Sequence, residues 1–505
     1  MTNFRVPVRV AVIGAGIGGL TAAALLARRG YAVSVFDLAL VPGGCASTFK
    51  RDRFTFDVGA TQVAGLEPGG IHHRIFSELD IAIPAATPCD PACAVFLPGE
   101  TKPVNIWRNL DKWREERQRQ FPGSEPFWQL MENLFRWSWA FQSRDPVLPP
   151  RDLWDLTQLV QAVRPDTLLT LPFTFWTVGD ALRWFQLDDD RRLRTFLDLQ
   201  LKLYSQVEAE DTALLYAATA LGVSQEPQGL YHLHGSMQVL SDRLVEALKR
   251  DGGSLKMRHT VESIETQNNR VTGVRVRNQK TGEILTEPAD LVVANVTVQN
   301  LINLLGDLAS IRPYRHRVEK LPSASGAFAI YLGVKDRAVP ANCPPHLQFF
   351  DDPHKPIAEN NSLFVSVSRP GDGRAPEGNA TLIASSFTDT RMWWNCKDYD
   401  ALKQHYTNDA IDRLDRYFDL STENLLYVEA ATPRTFQRFT GRESGIVGGI
   451  GQRISTFGPF GFANRTPVSN LWLVGDSTHP GEGTAGVSYS ALTVVRQIEA
   501  KWQHL

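Results

Sequence analysis

The residues of this chain best placed to do chemistry are glycines and carboxylates at its two ends. V-R-V-A-V-I-G-A-G-I-G-G-L-T-A-A-A-L-L-A-R-R-G-Y-A-V-S-V-F-D, from Val8 to Asp37, reads as strand, glycine turn, helix and a second strand ending in an acid. Gly14 permits the tight turn after the strand. Gly16, beside Ala15, leaves the backbone open to a pyrophosphate, and Gly19, beside Gly18, lets the helix pack close to the sheet. The helix starting near Ile17 aims unpaired N–H groups and its positive dipole end at those phosphates. Asp37 is placed to accept hydrogen bonds from ribose hydroxyls.

The second signature is N-L-W-L-V-G-D-S-T-H-P-G-E-G-T-A-G-V-S-Y-S-A, Asn470 to Ala491. A buried strand ends in Gly475 and Asp476, the acid expected to face the ribityl hydroxyls and pyrophosphate region of a flavin dinucleotide. Gly481, Gly483 and Gly486 line a turn into a helix that includes Val487. Its amino end can stabilise negative charge on a reduced flavin. A nicotinamide enzyme rarely needs such a segment, whereas a flavoprotein uses it to hold the middle of FAD. FAD is therefore the expected cofactor. Between the signatures, P-G-G-C-A-S-T supplies Gly43, Gly44 and Cys45 to a loop that can wrap the flavin. F-T-F-D-V-G-A-T supplies a glycine loop with Ala60 and Thr61.

These groups must be positioned by a large scaffold. The chain has 505 residues, 43% hydrophobic and 21% charged, with a net charge of -2. That balance is globular and offers no general attraction for nucleic acid. Five scattered cysteines predict neither a disulfide framework nor a metal site, and they suit a reducing compartment. The first strand starts near Val8, so no leader is expected, and no stretch predicts a spanning helix.

The elements predict an α/β protein with a discontinuous Rossmann-like FAD domain built from residues 1–80, 229–310 and 426–505. The middle part holds the helix bearing Leu240, Leu244, Ala247 and Leu248 on one face, the strands T-V-E-S-I-E and V-T-G-V-R-V-R, and the buried strand A-D-L-V-V-A-N. Residues 81–228 read as a helical, tryptophan-rich region. Residues 311–425 read as the antiparallel sheet and helix of a substrate domain, from A-F-A-I-Y-L-G-V, S-L-F-V-S-V-S, T-L-I-A-S-S-F and a long amphipathic helix.

T-P-R-T-F-Q-R-F-T-G (Thr432 to Gly441), followed by L-W-L-V-G-D-S-T-H-P-G-E-G-T-A-G-V, resembles the carotenoid desaturase and carotenoid cis–trans isomerase family, and G-G-C-A-S-T-F extends the likeness. T-H-P-G-x-G is similar to the bacterial phytoene-desaturase type, and G-D-S-T-x-P-G to prolycopene isomerase. H-P-G-E-G-T-A-G-V-S-Y-S-A looks most like cyanobacterial carotenoid 3,4-desaturases. The resemblance implies an amine-oxidase-like fold and an FAD-dependent oxidoreductase of CH–CH bonds. Such an enzyme would introduce a C-3,4 double bond into an acyclic or monocyclic carotenoid by hydride transfer to flavin N5. It also carries a cofactor contact to Val261. Polar candidates near the ring are Arg438, Arg442, His479 and Glu482; solvated-loop roles for the arginines and a capping role for the histidine stay open.

Eight of the twelve tryptophans lie between Trp107 and Trp184, among apolar helices. A water-insoluble substrate arrives from a bilayer, so part of residues 128–185 is expected to attach to the cytoplasmic side of a bacterial membrane, by apolar insertion rather than by charge. Quinone or oxygen would then accept the electrons. Three other readings share the scaffold: a carotene cis–trans isomerase, a lipid-binding escort protein of the GDP-dissociation-inhibitor type, and a soluble amine oxidase. The aromatic pair an amine oxidase usually shows is not identifiable here.

Overall fold

The structure, a computed structural model, describes residues 7–502. Five parallel strands form the first sheet, in the order Leu471–Leu473, Leu291–Ala294, Arg9–Ile13, Ala32–Asp37 and Ser254–Met257. After Arg9 the central strand is V-A-V-I and wholly buried, as a parallel strand covered on both faces must be. Helices Ile17–Arg28, Gln238–Arg250 and Thr484–Trp502 cover one face through a common apolar core. Leu240, Leu244, Ala247 and Leu248 all point into it. The other face carries helix Val298–Leu304 and an antiparallel sheet of His259–Gln267, Arg270–Asn278 and Ile284–Pro288.

A seven-stranded sheet lies beyond. Its order is Leu425–Ala431, Gly326–Lys335, Asn379–Thr388, Ser362–Val367, His346–Phe350, Cys93–Phe96 and Val104–Ile106. The last two strands correct the expectation that residues 81–228 are helical. C-A-V-F and V-N-I are too short to show a period; they pair with each other, and C-A-V-F joins the sheet through a strand about 250 residues away, Leu347 opposite Ala94. Helices return from Leu110 onward and pack around Trp113, Trp128, Phe127 and Phe196.

A buried ionic joint ties strand Phe54–Asp57 and strand Tyr231–Leu233 to the loop before Asn379–Thr388. Arg374 donates to Asp57 Oδ2 from Nη2 at 2.9 Å and to Asp372 Oδ2 from Nη1 at 3.2 Å, while His232 Nε2 lies 2.9 Å from the same Asp372 oxygen. Asp57 Oδ1 accepts from the Met237 N–H at 2.8 Å and from Thr48 Oγ1 at 2.9 Å. All four side chains are buried, so each charge is held by an opposite one.

Helix Leu153–Ala162 is inverted relative to water. It buries Asp155 and Ala162 and exposes Leu153, Leu156 and Val160, the first of them at 76%. Asp155 is satisfied inside: Arg465 Nε lies 3.0 Å from both of its oxygens and Gln497 Nε2 donates at 2.9 Å.

Candidate functional site

The glycine positions are explained by backbone packing. A Cβ on Gly19 would stand 2.1 Å from the Gly14 carbonyl oxygen, so the helix touches the strand turn where only glycine fits. Gly14, at φ +94°, turns the chain out of the strand. Gly16 caps the helix without a side chain, leaving the first-turn N–H groups for a ligand. The Gly43–Gly44 loop lies directly on this turn: Gly43 N–H donates to the Ala15 carbonyl at 2.8 Å, and a Cβ on Gly44 would sit 3.3 Å from the Gly16 Cα.

The carboxy-terminal signature reaches the same place. A Cβ on Gly18 would be 3.2 Å from the Val487 carbonyl oxygen and 2.9 Å from Val474. Gly475 N–H donates to Ser490 Oγ at 3.2 Å, and a Cβ on Gly486 would meet the Gly481 carbonyl at 2.6 Å. One residue missed in the sequence sits between the signatures. The Asn295 side chain lies against Gly14, Gly16, Gly18, Gly19 and Gly475. Its position just after A-D-L-V-V-A, at the end of a central strand, was the available signal.

Asp37 is placed differently from a carboxylate left free for a ribose. Oδ2 accepts from the Ala15 N–H at 2.6 Å and Oδ1 from the Ala39 N–H at 2.7 Å. Burial raises its pKa against these two bonds. It pins the phosphate turn to the second strand, and each oxygen keeps a lone pair for a hydroxyl.

Beside the turn a cavity of about 880 Å³ runs between helix Arg191–Ser205, the seven-stranded sheet and the carboxy-terminal glycine loop. Cys45, Ala60, Thr61, Gly483 and Gly486 line it, with His479 and Glu482. The sheet floor presents Ala329, Ser385, Phe364 and Gln348 in register across four strands. Leu159, Val163, Leu171 and Thr174 line the cavity where it approaches the inverted helix.

The predicted polar residues separate into two groups. Glu482 Oε2 accepts from Gln206 Nε2 at 2.9 Å and from the Gly449 N–H at 3.4 Å, while Oε1 is buried without a partner. Burial, then the Asp476 charge, push its carboxyl up to about 8 against Gln206, Gly449 and Arg442. His479 Nε2 lies 2.9 Å from Gln142 Oε1, which assigns it the ring proton and leaves Nδ1 buried and bare. Burial holds this imidazole down to about 4, so it is neutral. Arg442 is ion-paired with Asp476 and donates to the Gly448 carbonyl. Burial works against its charge and the Asp476 carboxylate prevails, raising its pKa. Neither arginine lines the cavity, and Arg438 is exposed on helix Pro433–Thr440, over the Phe439 ring. Val261 pairs with Val276 and packs into the core that includes Phe36, next to Asp37.

This cradle fits a flavin dinucleotide. It offers helix N–H groups for phosphate, acids at Asp37 and Asp476 for hydroxyls, and an unpartnered carboxyl oxygen on the cavity wall. The fold is a mixed α/β one with a Rossmann-like domain. Residues 12–79 match the model of an NAD(P)-binding Rossmann-like domain. Cyclohexylamine oxidase from Brevibacterium oxydans superposes with a TM-score of 0.61 at 17% identity, covering 98% of this chain and all of that one. Relatives in sequence include a chloroplastic prolycopene isomerase of Daucus carota, 27% identical over 97% of this chain and 79% of its own length. A zeta-carotene-forming phytoene desaturase of Myxococcus xanthus is 26% identical over 98% of this chain and 94% of its own. Over nearly its whole length the chain is similar to carotenoid desaturases and isomerases.

Proposed function

We propose that the chain is an FAD-dependent carotenoid desaturase that introduces a double bond, at C-3,4, into an acyclic or monocyclic carotenoid. The observation that carries this reading is the junction of the glycine cradle with one mostly apolar cavity, which His479 and Glu482 enter from the carboxy-terminal glycine loop. Ala15, Gly16, Gly18 and Gly44 would hold the pyrophosphate, Asp37 the ribose, and Asp476 with Gly475 the ribityl chain. Bound FAD supplies the acceptor for the hydride lost from the substrate.

The protein's own task is to place the polyene and handle the proton lost from the adjacent carbon. Ala329 and Phe364 on the sheet floor and Leu199 opposite confine a flat apolar chain. His479, neutral and bare at Nδ1, is the cavity group able to take that proton, while Glu482, its carboxyl raised to about 8, stands beside it largely protonated at neutral pH. The mostly apolar walls limit water beside the reacting carbons, and fixed alignment supplies much of the rate.

The polyene enters where Leu171, exposed yet cavity-lining, meets the apolar outer face of helix Leu153–Ala162. Exposed leucines over a buried aspartate suit a peripheral attachment to the cytoplasmic face of a membrane, which would also deliver quinone or oxygen as electron acceptor. No helix among the described residues is long and apolar enough to cross a membrane.

Purified holoenzyme incubated with an acyclic all-trans carotenoid and an electron acceptor should yield a product two mass units lighter that absorbs further to the red. The second reading, a cis–trans isomerase, is favoured by the prolycopene isomerase relatives. It requires a product of unchanged mass, and that result would remove the desaturase. A colourless, folded protein would instead point to a lipid escort. Gly16→Val places a side chain in the phosphate turn and should leave the purified protein without 450-nm absorbance.

A further inference from the structure

Next to the exposed apolar helix lies an open groove of about 710 Å³, lined by Arg151, Arg317, Arg453, Phe175, Phe460 and Asp211 among others. It is the most cationic concavity among those described, on a chain whose net charge is -2. Only Arg453 has a carboxylate there, Asp211 at 3.4 Å. No acid pairs with Arg151 or Arg317 among the described residues. Arg317 is fixed at the groove by its guanidinium: Nη1 donates to the Gly461 carbonyl at 3.1 Å, Nη2 to the Ser455 carbonyl at 3.3 Å and to the Phe460 carbonyl, and the group lies 4.0 Å over the Phe462 ring. Arg151 is exposed and makes no side-chain hydrogen bond among the described residues. Two rings 5.6 Å apart, Phe175 and Phe460, form the rim, and both are exposed. Leu153, Leu168, Leu171 and Trp184 continue the exposed apolar surface in the neighbouring segments.

We propose that this groove binds the phosphate of an anionic phospholipid while the apolar rim enters the bilayer, so that the protein selects negatively charged membranes. The inference rests on the membrane attachment proposed above and corrects one part of the sequence expectation, that charge plays no role in it. Two guanidiniums without an acid and one partly paired match a phosphodiester in charge, Arg151 brings free donors to it, and Arg317, fixed by backbone carbonyls, adds charge. The flanking aromatic and leucine side chains fit the interface directly beneath a headgroup.

The test is co-sedimentation of the full-length holoenzyme with phosphatidylcholine vesicles, with and without phosphatidylglycerol. The wild type should bind the phosphatidylglycerol vesicles more than tenfold more tightly, about fivefold per engaged arginine, and raised salt should erase the difference. Arg151→Gln should cut that preference about fivefold while binding to phosphatidylcholine is unchanged; Arg151→Gln/Arg453→Gln should remove most of it. Equal binding of the wild type to both vesicles, or an unaltered preference in the variants, overturns the headgroup site and leaves membrane attachment standing. Binding to neither vesicle overturns both. Inorganic phosphate at matched ionic strength should not displace the protein from vesicles; displacement would reassign the groove to a soluble anion.

Discussion

Two helices of this molecule are rich in apolar residues and use them in opposite ways. Helix Ile17–Arg28 buries everything except its last residue and lies between a parallel sheet and two other helices. Helix Leu153–Ala162 turns its leucines outward and keeps an aspartate inside. The first is shaped by close contact within the protein and by the dinucleotide turn at its amino end. The second has an outer surface that water does not favour. Apolar content alone therefore says little; which side is satisfied internally tells the two apart.

The contrast can be broken most forcefully in the first helix. Gly19→Ala forces a methyl group against the Gly14 carbonyl and should cost about 3 kcal/mol or more, read as a lowered urea midpoint. In the second helix the vulnerable residue is the polar one. Asp155→Ala leaves Arg465 with only Asp152, 3.0 Å away, and should cost about 3 kcal/mol by the same measurement. An unchanged midpoint would mean that the inverted helix is not anchored through its aspartate.

A smaller effect should appear at Glu482, another acid kept from water. Because its folded pKa is raised, the folded state holds the proton more tightly than the unfolded chain. This contribution to stability is complete below about pH 4.5 and is lost as pH rises to about 8. His479 acts with the opposite sign: its lowered folded pKa makes stability rise between about pH 4 and 6.5. Glu482→Gln should therefore flatten the decline in melting temperature between pH 4.5 and 8 in flavin-free protein. A decline that persists in the variant would place the titration elsewhere. The smallest change in stability belongs to Leu153→Ser/Val160→Ser, within about 0.5 kcal/mol, although vesicle binding should drop severalfold for neutral and anionic lipid alike. A large loss of stability there would show that those side chains serve the fold after all.

Much of the cradle was legible because it depends on local backbone geometry. A position where a Cβ would stand 2.1 Å from a carbonyl oxygen can only be glycine, so Gly19 announces itself. The strands and the helix carrying Leu240 and Leu244 followed from period. Asn295 was not legible as a site residue, because its role arises from five glycines distant in sequence converging on one amide. Arg374 sits in an ordinary R-P-G-D-G-R turn and becomes an ionic joint only once Asp57 and His232 are brought to it. The inversion of helix Leu153–Ala162 was equally hidden, since spacing defines a face without saying which side water occupies. Charge behaved likewise: a sum of -2 conceals a groove with three arginines.

The strand order of the parallel sheet has a consequence in time. Arg9–Ile13 emerges first from the ribosome, yet its neighbours are Ala32–Asp37 on one side and Leu291–Ala294 on the other, and Leu471–Leu473 pairs beyond the latter. The dinucleotide turn can form early, but Asn295 and Gly475, which close it, arrive about 280 and 460 residues later. On the proposed function, cofactor retention would be a late event of synthesis, since it needs strands as far apart as Arg9–Ile13 and Leu471–Leu473. A chain truncated before Leu471 should keep its first βαβ unit and still emerge colourless.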